Sequence, residues 1–149
     1  MRRSPTIARF AAEELCDRRK AAERMIATGQ ATRAHAHAEL LPFMRLALDL
    51  DADLPWIDEA VAEVRQSLVV ITGEWRDAGE RLSRVWIADD LCGEGTTRAA
   101  LIKARDRAIS RAEAEPSRWP RASRLAALAW AYRCPPFTAA STQSGRKAA

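Results

Sequence analysis

With 149 residues, 48% of them hydrophobic and 30% charged, the chain is long enough to bury one core and too short for two ordinary domains. Six glycines are too few for an all-β chain built on regular turns, and three cysteines scattered at 16, 92 and 134 do not make a disulfide framework. No apolar stretch approaches the roughly 18 residues that cross a bilayer, and the aliphatic run 68–71 ends at Thr72. After the basic start Met-Arg-Arg-Ser-Pro, Arg9, Glu13 and Glu14 interrupt any apolar segment, so no secretory signal is expected. With the unpaired cysteines, this predicts a soluble protein of a reducing compartment, most simply a bacterial cytoplasm.

Ser4 followed by Pro5 is a helix-start signal, and Ile7, Ala11, Leu15, Ala22 and Met25 keep one face apolar until Gly29, which predicts a first helix over 5–28. A second is expected from Ala31 to about Leu50, with Leu41, Met44 and Leu48 inward and Pro42 either kinking or restarting it. Asp51 to Leu54 reads as a short acidic connection, and Pro55 is placed to open the next helix.

From Ile57 the apolar spacing runs 4, 3, 4, 3 through Val61, Val64, Leu68, Ile71, Trp75, Ala78, Leu82 and Val85. That is the seam of about four heptads and predicts one long helix from Pro55 to about Leu91. Gly73 and Gly79 each cost a helix roughly 1 kcal/mol, and 68–72 is β-branched enough to compete as a strand, but the period passes through both glycines without slipping.

Residues 91–95 then read as a turn, with Thr96 or Thr97 capping a fourth helix that ends near Glu115 and Pro116. A last helix is predicted from about Pro120 to Cys134, stopped by Pro135 and Pro136, and from Thr138 onward the composition has nothing to bury and reads as disordered. The expected fold is therefore all-α: a single-domain bundle over 1–137 of about five helices organised around the long heptad helix, with a tail over 138–149.

Charge is segregated. Basic residues number eight against four acidic ones in 1–33, five against thirteen in 34–95, and eleven against three in 96–149. An acidic middle flanked by basic ends points to a polyanionic partner, although acidic and basic helices could instead neutralise one another within the bundle. Lysine occurs only at 20, 103 and 147. The arginine bias suits bidentate phosphate contacts, and an Ala- and Arg-rich genome would produce it too.

Local motifs for chemistry fail their tests. His35 and His37 point about 200° apart on a helix, so both cannot grip one metal. The loop beginning at Asp89 has Glu94 where an EF-hand needs Gly and Ala100 where it needs Glu, and Gly95-Thr96 does not complete a phosphate loop. Cys92 has no histidine in its segment, and no Gly-x-Ser-x-Gly elbow exists. No catalytic residue, metal site or cofactor is expected, and no small-molecule substrate is evident.

The basic C-terminal third carries the functional expectation. Lys103, Arg107 and Arg111 recur at i, i+4, i+8 opposite Leu101, Ala104, Ala108 and Ala112, so they form an outward stripe repeating about every 6 Å, close to the spacing of successive phosphates. Arg118, Arg121 and Arg124 follow at intervals of three. On the last helix Leu125, Leu128 and Tyr132 form the inward face, with Trp130 and Arg133 opposite as a base-stacking or partner-anchoring pair, unless Pro135, Pro136 and Phe137 cover the indole. No zinc-finger, basic-zipper, RNP or helix-turn-helix signature is present, so the expected partner is a nucleic-acid backbone, RNA or single-stranded DNA, contacted without base readout. A non-enzymatic accessory subunit working beside other protein subunits fits, as in an RNA-guided effector complex or a plasmid or phage nucleic-acid-handling assembly. The alternative is a helical adaptor or inhibitor that docks on protein through its apolar and Trp surfaces.

Overall fold

A computed structural model describes residues 4–60, 62–63 and 92–137. The protein is all-α, with no strand among these residues: α1 is Pro5–Ala27, α2 Arg33–Asp49, α3 Glu94–Ala114 and α4 Trp119–Ala131, with a 3₁₀ turn at Pro116–Arg118 before α4. No helix among the described residues is long and apolar enough to cross a membrane. Of the expected heptad helix only the start falls among the described residues: 57–60 and 62–63 are helical and Ile57 is buried, whereas the seam positions from Val61 to Val85, Leu68 among them, lie outside them, as does the segment from Thr138.

The chain divides into two compact units, residues 1–97 and 98–149, and the division falls inside α3. In the first unit α1 packs on α2. Ala11, Leu15 and Ala22 are buried as their spacing predicts, but Met25 is 39% exposed. Ile26, one position on, takes its place against Ala22, Ala36 and Leu40. The helix pair also buries charge: Glu14 is fully inaccessible with Arg18 Nε 3.3 Å away, and the Arg18 guanidinium lies 3.6 Å from the centre of the Phe43 ring.

Helix α2 starts at Arg33 rather than Ala31, because Thr32 is the N-cap and its hydroxyl accepts from the His35 amide at 3.2 Å. Pro42 does not restart it: the helix runs on through the proline. From Phe43 to Leu48 every residue is buried, Arg45 included, as in a helix surrounded on all sides. Arg45 is held by Asp49 at 2.8 Å and by the Cys92 carbonyl at 2.9 Å. In the acidic connection, exposed Asp51 and Asp53 alternate with buried Ala52 and Leu54.

Three helices end in one way. In α1 the amides of Gly29 and Gln30 donate to the carbonyls of Ile26 and Met25; in α2 those of Asp51 and Ala52 donate to Leu48 and Ala47; in α4 those of Arg133 and Cys134 donate to Trp130 and Ala129. This is the Schellman arrangement, which requires a left-handed residue at its centre: Gly29 has φ +73°, Asp51 +55° and Arg133 +59°. Helix α4 thus stops at Ala131, three residues before the Cys134 expected from sequence. The expected cap at Thr96 or Thr97 is also corrected. Helix α3 begins at Glu94, and Thr97 lies buried inside it, its hydroxyl donating back to the Gly93 carbonyl at 3.0 Å.

Candidate nucleic-acid interface

The second unit contains all the basic residues singled out in the C-terminal third up to Arg133. Between 98 and 137 nine arginines and lysines face three acidic residues. The structure sorts them into two sets. On α3 Lys103, Arg107 and Arg111 are exposed and Leu101 and Ala112 buried, as the periodicity predicts; Ala104 and Ala108 are half-buried, and Arg105, which the periodicity does not single out, is buried. Among the described residues these three cations have no ion-pair partner.

Arg98 and Arg105, seven residues apart on α3, belong to the other set. The Arg98 Nε donates to the Tyr132 carbonyl at 3.3 Å and its guanidinium lies 5.4 Å from the Tyr132 ring centre, while Arg105, buried and paired with Asp106, donates to the Pro135 carbonyl. These two arginines hold the end of α4 and the segment after it. Cys134 sits between them, its Sγ 4.0 Å from the Arg98 carbonyl. Burial pushes its thiol up from the ordinary value, with Arg105 and Arg98 pulling the other way and Asp106 adding to the rise.

Around α4, Ala122, Leu125, Leu128, Ala129 and Tyr132 are buried. Trp130 is 80% exposed, so Pro135, Pro136 and Phe137 do not cover it. Arg118 and Arg121 are exposed, Arg118 pairing with Glu115, and Arg124 is half-buried. Arg133 is exposed but lies beyond the helix, its direction set by the left-handed backbone rather than by helical phase. Trp119 was not anticipated as a site residue and is 41% exposed. Its signal is its spacing of eleven residues from Trp130, three turns with a residual rotation of about 20°, which puts both indoles on one face.

The first unit gathers charge differently. His37 is buried with Nε2 3.9 Å from Glu23 and 4.0 Å from Glu63, and the three ligand atoms lie within 4.8 Å of one another. Arg33 stands 3.3 Å and Arg19 3.7 Å from the Glu63 carboxylate. Two guanidiniums therefore already offset the carboxylate charge, and the group joins α1, α2 and the helical residues 62–63 as an ion-pair network. Sequence spacing hides it, because its members come from three separate segments. Beside it an open groove of about 540 Å³ is lined by Cys16, Arg19, Lys20, Glu23 and Arg24 of α1 and by Trp56. Arg19 covers the Trp56 ring at 4.5 Å, whereas no cation or ring stacks on Trp130 among the described residues.

No family model matches the chain, and comparison with curated proteins and with solved structures gives no match.

Proposed function

We propose that this protein is a non-enzymatic helical accessory subunit that contacts a nucleic-acid backbone, in an assembly such as an RNA-guided effector complex or a plasmid or phage nucleic-acid-handling complex. The observation that supports this reading is the stripe of Lys103, Arg107 and Arg111, exposed and without an ion-pair partner among the described residues, in a stretch, 98–137, with nine basic residues against three acidic ones. Cations on a fixed helical repeat neutralise phosphates and release counterions, which supplies affinity without sequence readout.

The test is conversion of Lys103, Arg107 and Arg111 together to Glu. Binding to labelled RNA and single-stranded DNA at low salt should be lost while helicity and melting temperature stay near the parent's, since exposed substitutions cost little stability. The parent's affinity should fall steeply with salt. A folded triple variant that binds like the parent at matched salt overturns the proposal. The alternative, a protein-docking adaptor using the exposed indoles of α4, predicts an apolar association that would not weaken with salt in this way.

A further inference from the structure

From the two exposed indoles we infer that α4 is a stacking platform that makes the partner single-stranded, with bases of the strand laid on Trp130 and Trp119; this rests on the nucleic-acid reading above and goes beyond its backbone contacts. Trp119 and Trp130 are, with Met25, the large hydrophobic residues exposed among those described. Helical geometry puts them on one face about 16.5 Å apart along the axis, over Ser123, Ala126 and Ala127, whose short side chains leave the rings standing clear. Each indole has an exposed arginine close in sequence: Arg118, which pairs with Glu115, precedes Trp119, and Arg133 follows Trp130. From Pro116 to Phe137 there are four arginines and no acidic residue.

That combination selects among polyanions. A duplex keeps its base faces stacked inside and offers an outer surface of phosphate, which needs no indole. A single strand presents flat π-faces beside each phosphate, and an open indole next to a guanidinium satisfies both parts at once. A protein partner is less well served. Trp anchors in protein interfaces sit among well-packed, desolvated surroundings, whereas Trp130 is 80% exposed above the short side chains of Ser123, Ala126 and Ala127.

The experiment is fluorescence anisotropy of the full chain at low salt with three labelled probes of equal length: oligothymidine, an abasic single strand, and a duplex. The oligothymidine is expected to bind about tenfold tighter than the abasic strand, the size that stacking on one indole supplies. Trp130→Ala should remove most of that difference and Trp119→Ala a smaller part, with abasic-strand and duplex binding unchanged and Trp130→Phe close to the parent. Because both rings are exposed, the variants should keep the parent's circular dichroism. Equal affinity of the parent for oligothymidine and abasic strand, or Trp variants that bind oligothymidine like the parent, overturns the platform while leaving the basic-stripe reading standing. Failure of all three probes to bind overturns both. Polyglutamate that binds with the same dependence on Trp130 and displaces oligothymidine also overturns it, in favour of an acidic protein partner.

Discussion

Arg105, buried on α3, donates from its guanidinium to the Pro135 carbonyl, so a charged hydrogen bond ties the segment after α4 to α3. Arg105, two residues before Arg107 and six before Arg111 on the same helix, thus has a wholly structural task. Removing it strands a carbonyl and leaves Asp106 without its partner at 2.9 Å. Arg105→Ala should therefore destabilise by about 1–3 kcal/mol. Arg107→Ala, two positions on and exposed, should change stability by less than about 0.5 kcal/mol. Urea unfolding followed by circular dichroism separates the two, and equal losses would mean that the two sets of arginines are wrongly divided.

The three left-handed helix ends make opposite predictions. No atom lies within 4 Å of where a Cβ on Gly29 would stand, so Gly29→Ala pays only the conformational cost of φ +73° and should lose about 1 kcal/mol. At φ +55° and +59° a side chain already bears that cost, and Asp51→Gly and Arg133→Gly should each gain about 0.5–1 kcal/mol. On the proposed function, Arg133→Gly should at the same time weaken nucleic-acid binding, a rise in melting temperature paired with a loss of affinity.

Pro42 sits inside α2 with no amide to donate to the preceding turn. The burial of every residue from Phe43 to Leu48 holds the helix together across it. Pro42→Ala restores the missing donor and should raise stability by about 1–3 kcal/mol, read from the urea midpoint; a loss would show that the proline's backbone geometry is needed by the packing beyond it.

Cys134 carries an alkaline signature. Its thiol titrates above the ordinary value of 9.0 in the folded chain, chiefly because of burial, so the folded state binds its proton more tightly than the unfolded one. The resulting stabilisation is fully present below about pH 9 and is lost as pH rises through the folded value. The unfolding midpoint of the parent should fall more between pH 8 and 10.5 than that of Cys134→Ser. Parallel declines would remove Cys134 as a contributor.

The helix ends show how far local sequence reaches. Ser4-Pro5, Gly29 and the Pro135-Pro136 pair are legible, because a fixed proline φ and a glycine free of Cβ act on the backbone where they stand. Arg133 ends its helix in the same geometry without any such signal, and Asp51 with only the weak one of an aspartate, which tolerates a left-handed backbone better than most side chains. Pro42 is the converse case, a strong local breaker overridden by six consecutive buried neighbours.

For the candidate site, periodicity alone determined which face of α3 carries Lys103, Arg107 and Arg111 and which face of α4 carries Trp130, because a residue's angle around a helix follows from counting. The eleven-residue spacing of Trp119 and Trp130 was equally available by counting. Only the tertiary structure decided that Arg98 and Arg105 turn inward to the carbonyls of Tyr132 and Pro135, and that His37 meets Glu23, Glu63 and the arginines around them. An arginine's charge is written in the sequence, but whether it faces solvent or a carbonyl thirty residues away depends on which segments the packing brings beside it.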